Sequence, residues 1–523
     1  SETNGSVGSP IANAINASYS PSTATEGTLY YYVVVTNTNN SVSGNKEANA
    51  TSDTAKIEIS ALLPEGYHNV SFYDHQLDFI KTIHAEGTIN PTELFGGIAV
   101  WYVAEASDWT TEHTLTGDIR FYNAPRVHEI FTEADLDNAR NNLTHNYIMF
   151  NDIELTSATL GEDGGDGWNP IGYNYSHSFT GIFNGNGYAV RNLWINRPST
   201  NYVGLFGSAN VGARIRNLGV EIDNSKGGVK GKNYVGGIAG YVYGSSITDS
   251  YSTGDVSANS YIGAIAGYVY NNYSFSSSNS ISITNSYSTG DVSGASGVGG
   301  IAGYVYNSSY SSSISITNSY STGSISGTGN YVGGIAGYVY ISSSYSSSIS
   351  ITNNYSTGNV SGASGVGGIA GYVYHSNTYA SISITNSYST GSVSGTSDVG
   401  GIAGYVTGSR STIKNNAAIN QEINGSANVN RIVGNISGGD VQNNFALDAM
   451  TTNGGGTFSN ASDLAYHGTS KSDSDLKSQA TYSSAINGNG NSGLGWRFGN
   501  NDANPWKIDA GKNNGYPYLY WQE

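Results

Sequence analysis

Through the middle of the chain, apolar residues alternate with residues bearing hydroxyls. Ile281, Ile283, Asn285 and Tyr287 share one parity, and Ser282, Thr284 and Ser286 the other. That is the period of a strand with one buried face, and it predicts that Asn285 sits on the apolar side near the strand's end. The string recurs as ITNSYSTG at Ile316 and Ile384, ITNNYSTG at Ile351 and ITDSYSTG at Ile247, with looser copies at Val190, Ile215, Ile413 and Val441. Aligned, the copies give one polar column: Asn192, Asn217, Asp249, Asn285, Asn318, Asn353, Asn386, Asn415 and Asn443. A buried amide is costly unless its donors and acceptors are satisfied. Identical rungs stacked about 4.8 Å apart satisfy it, because each amide bonds its copy above and below. The column is therefore expected to form a structural Asn ladder at a corner of a parallel β-helix.

A second string, VGGIAGYVY, begins at Val235 and returns, whole or varied, at Ile262, Val298, Val332, Val366 and Val399, with a degenerate copy from Val433 and an earlier VGLFG at Val203. The repeat is about 34 residues, a period that signals a solenoid, propeller or array. With a short DVSG or SVSG piece, each repeat contains three strand-like segments, which predicts a three-faced solenoid stabilised by stacking of neighbours. A Ser/Tyr/Asn-rich insert, such as that from Asn271, falls always between the same two strands and should project from one edge. With Ile238 and Val242 inward, the tyrosines of the string point out as two columns, Tyr241, Tyr268, Tyr304, Tyr338, Tyr372 and Tyr405 beside Tyr243, Tyr270, Tyr306, Tyr340 and Tyr374; the alternative is that bends at the glycines turn one column into the core. An exposed aromatic stripe of this kind suits binding to sugars or to another protein surface.

Composition narrows the chemistry. The chain has 523 residues, a net charge of −17, only 11% charged residues, 70 Gly and no Cys. An acidic chain without a Lys/Arg stripe is a poor partner for nucleic acid, and the missing Cys excludes disulfides, zinc–thiolate sites and thiol nucleophiles. No run of about 18 apolar residues is present to span a bilayer as a helix. Between Val235 and Ser409 the charged residues are Asp249, Asp255, Asp291 and Asp398. Asp255 and Asp291 occupy equivalent positions on neighbouring rungs and read as a solvated turn, with cation binding as the alternative. Glu162, Asp163 and Asp166 in a Gly-rich loop offer oxygen ligands suited to Ca²⁺. No catalytic residues and no other cofactor are expected.

The VGGIAG core, the segment FTGIFNGNGYAVRNLWI from Phe179 to Ile195, the lead-in from Asn146 to Gly172 and the ending GYPYLYWQ from Gly515 resemble the GLUG-motif repeat proteins over roughly residues 126–523. That resemblance implies a right-handed β-solenoid of about nine coils in a secreted or surface-displayed, adhesin-like protein, and no catalytic residues. Residues 28–125, with strand-like runs at Thr28–Asn40, Ala55–Gly66 and Gly97–Ala106 and no repeat, fit an all-β sandwich and resemble, more weakly, Ig-like domains of prokaryotic surface proteins.

The organisation expected is an arm at 1–27, a sandwich at 28–125, a linker helix and cap at 126–178, the solenoid at 179–445 and a closing region at 446–523. Thr132 should cap a helix whose Leu136, Ala139 and Leu143 cover the first coil. The mature chain is expected to be extracellular, after removal of a signal peptide. Three functions fit. The first is a structural or adhesive surface protein that self-associates or binds neighbouring surface proteins, its arm donating a strand to build a filament. The second is a carbohydrate-binding or carbohydrate-cleaving solenoid, and the third, recognition of an ordered surface such as ice by Thr289, Thr322 and Thr357.

Overall fold

The computed structural model describes residues 27–31, 34–38, 47–51, 55–59, 63–96, 99–161, 165–272, 280–343, 345–377, 379–458, 463–483 and 493–522. They fall into two compact units, one drawn from 1–72, 81–98 and 110–120, the other from 73–80, 99–109 and 121–523. The expected arm at 1–27 lies, apart from Gly27, outside the described residues.

The first unit is built from antiparallel strands. Gly27–Tyr31 pairs with Ala55–Ile59, Val34–Thr38 with Glu47–Thr51, and Thr88–Ile89 with His113–Thr114. Its helix, Pro91–Phe95, starts where the Asn90 side chain accepts the amides of Thr92 and Glu93, and stops at Gly96, whose φ of 84° is left-handed.

The second unit is a parallel β-helix. One coil shows the plan: Ser313–Thr317 forms face I, Tyr320–Ser321 face II, Ile325–Gly327 face III, Val332–Gly333 face IV and Ala336–Ile341 face V. Every strand pairs with its own copy one coil away. Ile283 lies on Ile316, Ile316 on Ile351 and Ile351 on Ile384. Tyr304 lies on Tyr338 and Tyr338 on Tyr372. About eight coils run from Ile182 to Ser437, where about nine were expected; face IV has seven strands, with a single bridge at Val203 in the first coil, and faces I and II continue to eleven strands each. Inward columns of Ile, Val and Ala, such as Ile316, Ile325, Val332, Ile335 and Val339, are fully buried. At about 2 kcal/mol for each Ile or Val removed from water, these columns are the main stabilising term.

The coil has five sides rather than the expected three: the VGGIAGYVY segment splits between Gly333 and Ala336 into faces IV and V, and a left-handed residue splits the ITNSYSTG segment into faces I and II. All nine members of the Asn column have φ between 49 and 60°, a conformation that Asn and Asp tolerate best after Gly. The turn resets the alternation of the strand. Asn285 thereby leaves the core side and is partly exposed, while Ser286, expected outside, turns in and is buried. The Asn ladder runs along this corner, partly exposed at Asn285 and buried at Asn318. Asn318 Nδ2 donates to Asn285 Oδ1 at 3.3 Å, Asn353 to Asn318 at 3.1 Å, and Asn443 to Asn415 at 2.7 Å.

The buried ladder runs one residue later. The Ser286 amide donates to Ser319 Oγ at 3.2 Å, Ser319 to Asn354 Oδ1 at 2.9 Å, Asn354 to Ser387 Oγ at 3.1 Å and Ser387 to Asn416 Oδ1 at 3.0 Å. Each of these side chains therefore takes an amide proton from the preceding coil, which the corner would otherwise leave unpaired.

The linker helix Glu133–Asn138 carries a capping box between Thr132 and Asp135, and buries Leu136 and Ala139 in the solenoid core beside Met149. Close packing also fixes composition. A Cβ on Gly323 would collide with the carbonyl of Gly290, and one on Gly358 with that of Gly323, so this column admits no side chain.

One consequence concerns the corner. Asn318→Gly should lower stability by about 1 kcal/mol through the lost ladder bond, whereas Asn318→Val should cost about 2 kcal/mol or more, because a β-branched residue is strained at a φ of 51°. Thermal unfolding of the two variants checks the order.

Candidate functional site: stacked aromatic columns

Face V presents the two tyrosine columns. Along the strand Ala336–Ile341, Ala336, Val339 and Ile341 point inward, and Tyr338 and Tyr340 outward. The rings of Tyr304 and Tyr338 lie 4.8 Å apart and 2° from parallel, and those of Tyr306 and Tyr340 5.0 Å apart and 4° from parallel. Parallel rings this close must stack, so their faces are spent on one another. What they present outward is ring edges and hydroxyls.

The columns are also less open than an exposed stripe. Tyr241 and Tyr243 are buried, at 6% and 8% exposure, and Tyr268, Tyr270, Tyr304, Tyr306, Tyr338, Tyr340, Tyr372, Tyr374 and Tyr405 are half-buried. Two features cover them. The corner before face IV is left-handed, with φ of 58 to 65° at Tyr234, Tyr261, Gly297, Tyr331 and Gly365. The Tyr261 ring stacks on Tyr304 at 5.0 Å, and that of Tyr331 on Tyr372 at 5.0 Å. Gly297 and Gly365 leave room for these rings, since a Cβ on either would press against the ring from the preceding coil. From the other side the insert reaches over the second column, where Tyr306 Oη and Ser342 Oγ lie 2.6 Å apart and Ser308 Oγ donates to Tyr270 Oη at 3.3 Å.

A third column, on face II, escaped the sequence reading. Tyr251, Tyr287, Tyr320, Tyr355 and Tyr388 are in register, and their rings stack at 4.8 to 5.0 Å. Its signal was the invariant Tyr of the YSTG string, placed by alternation on the core side when the corner in fact turns it out.

The carboxy-terminal segment lies along this column. Trp506 packs on Tyr388 and Tyr355, Trp521 on Tyr320 and Tyr287, and Gln522 Nε2 donates to Tyr355 Oη at 2.6 Å. The Tyr388 hydroxyl donates to the Pro517 carbonyl at 2.6 Å. The tail was expected to close the solenoid's end. Thr469–Lys471 pairs in parallel with Phe445–Leu447 beyond the last coil, and the Ile432 amide donates to the Tyr466 carbonyl; the later tryptophans cover a flank, because the apolar ring edges of face II need a partner that the repeat itself does not supply.

The carboxylate candidates hold backbone. Asp255 Oδ1 accepts the Asp291 amide at 3.0 Å, and Asp291 Oδ1 the Ser324 amide at 2.7 Å; Asn359 does the same for Ser392 at 2.9 Å. They form a turn ladder, and Asn serves as well as Asp. Of the calcium candidates, Glu162 and Asp163 lie outside the described residues, and Asp166 pairs with Arg197 at 3.3 Å. Among the described residues no three His, Asp or Glu converge as a metal site, and no helix is long and apolar enough to cross a membrane.

The GLUG motif family matches residues 231–257. The chain carries the GLUG motif. The matched stretch corresponds to a single turn, taking in one strand of each face from Asn233–Gly236 to Val256–Ser257. The chain is 44% identical over 96 residues to a protein of Evansella cellulosilytica named "Putative Gly-rich membrane protein", covering 18% of this chain and 11% of that protein. It is 24% identical over 172 residues to Halomucin of Haloquadratum walsbyi, covering 32% of this chain and 2% of that protein. The chain thus spans a small part of the length of these curated relatives. A solved structure from Bacteroides ovatus, named "putative immunoglobulin A1 protease", aligns with a TM-score of 0.40 at 22% identity, over 76% of this chain and 93% of that one.

The aromatic columns have a pH signature. Burial, reinforced by neighbouring phenols, pushes Tyr372 up from 10.0 to about 12, and burial pushes Tyr320 up to about 12. The neutral phenol is the form favoured in the folded state, so the stability it contributes is fully present below pH 10 and is lost as pH rises from 10 toward 12. A thermal midpoint steady to pH 10 that falls above it, together with phenolate absorbance appearing only as the midpoint falls, is the expected outcome.

Proposed function

We propose that this chain is a non-catalytic structural protein of the cell exterior, a rod that displays or links surface material, and the subunit of a filament. The observation that carries the reading is that the outward columns are already paired with their own copies. Tyrosine faces stack on tyrosine faces, corner amides on corner amides, and turn carboxylates on the next coil's backbone. An enzyme groove needs the opposite: acids, bases or charges left unpaired and converging on a substrate. Low charge fits the same role, since a repeated charge would stack into a self-repelling column.

The names of the relatives, a Gly-rich membrane protein and Halomucin, support a place at the cell surface. For assembly we infer strand donation. The polar arm at 1–27 adds a strand to the antiparallel sheets of a neighbour's first unit. Electron microscopy tests this: the full chain should form filaments, and a chain lacking residues 1–27 should remain as single rods. Filaments of unchanged length from the truncated chain would overturn strand donation, and single rods from both would overturn the filament reading.

A further inference from the structure

The face II column ends at Tyr251, a half-buried ring stacked on Tyr287 at 5.0 Å whose hydroxyl donates to Glu221 Oε1 at 3.2 Å. Before Tyr251 the register holds Gly219 and then Ala189, so the aromatic stack stops there, and the stacked tryptophan of the tail lies on Tyr320 and Tyr287. With no side chain at Gly219 to continue the stack, Tyr251 leans across it, and a Cβ on Gly219 would overlap the ring. Beside the ring opens a hollow of about 350 Å³ bordered by Asn186, Asn217 and Asp249. A longer cleft of about 710 Å³ continues from Asp249 past Asn285 to Asp502 and Arg214. Asp249 lines both, and also a smaller hollow against Tyr287 and Trp521. It is the one Asp in the Asn column, so the repeat carries its exceptional carboxylate where the three hollows meet.

The chemistry of the groove selects its occupant. Its cationic side chains are already engaged: Arg216 with Asp78 at 2.9 Å, and Arg214 with the Gln76 side-chain carbonyl. Its carboxylates are not neutralised. Asp249 accepts one bond, from Asn285 Nδ2 at 3.0 Å; Asp502 accepts from the same nitrogen at 3.2 Å and from the Tyr520 hydroxyl at 2.9 Å. Among the described residues neither forms an ion pair. A polyanion would meet uncompensated Asp side chains. A molecule with an apolar face and a rim of hydroxyls finds a tyrosine ring to lie against, with carboxylate and amide groups around it to accept and donate.

We propose that this groove binds a neutral oligosaccharide, with one pyranose ring against Tyr251, its hydroxyls on Asp249 and Asn217, and further sugar units along the cleft toward Asp502. The site stands apart from the filament reading, since it holds whether or not the rods assemble.

Isothermal titration calorimetry of the full chain with neutral gluco-, manno-, xylo- and N-acetylgluco-hexasaccharides tests it. One of these should bind with a one-to-one stoichiometry. Tyr251→Ala should weaken that binding by about tenfold or more, and Asp249→Asn by several-fold. Tyr379→Ala, at a tyrosine 63% exposed elsewhere on the solenoid, should leave it unchanged. Asn occupies the equivalent corner in the other coils, so Asp249→Asn keeps the fold, and with Asp502→Asn it carries the test if Tyr251→Ala destabilises the chain. No binding by any of the four, binding indifferent to Asp249→Asn and Asp502→Asn, or tighter binding of polygalacturonate than of every neutral probe would overturn the proposal.

Discussion

In this solenoid nearly every residue sits on a copy of itself one coil away, and that constraint governs what each position can be. Isoleucine on isoleucine builds a dry core, as in the fully buried run Ile283, Ile316, Ile351 and Ile384. Where a polar group faces inward, it must be one that can pass a hydrogen bond along the axis. Ser319 and Asn354 do so, each taking the amide of the preceding coil. Charge is the one property that gains nothing from stacking. The scarcity of Lys, Arg and Glu in the repeat follows from this rule, and so does the abundance of Ser, Asn, Thr and Tyr.

Much of this was legible in the sequence because the repeat is close to literal. Copies aligned by eye are the residues paired in register, so the stacking partner of Tyr338 or Ile351 needed no structure to name. What alternation could not deliver was the corner. A strand reading of ISITNSY carries Asn285 and Tyr287 to the core side, but a residue at a φ of 50° reverses the sense of everything after it. Asn285 then forms the rim, Ser286 enters the core and Tyr287 becomes part of a column that the tail covers. The same blindness turned a five-sided coil into a three-sided one. The course of the tail was illegible for another reason. Trp496, Trp506 and Trp521 have no copies, and only the exposed flank of face II shows what they are for.

Function follows from where self-pairing is complete and where it stops. Along the rod the aromatic faces are occupied, the corner amides bonded and the turn carboxylates capped, which suits a mechanical element whose stability grows with each added coil. At Tyr251 the pairing ends, because Gly219 supplies no ring and the tail has run out. There the same side chains that knit the rod together, Tyr, Asn and Asp, are left facing a groove. The proposed groove lies where the self-pairing of the repeat stops.

Stacked coils are bonded to one another through the inward ladder as well as through the strands. Amide hydrogen exchange, read by NMR on chain labelled at Ser and Asn, measures this at single residues. The amides of Ser319, Asn354 and Ser387, which donate to the next coil's side chains, should be protected as strongly as the strand amides of Ser315 and Ser350 on face I. Exchange of these corner amides at the rate of exposed turns would contradict it.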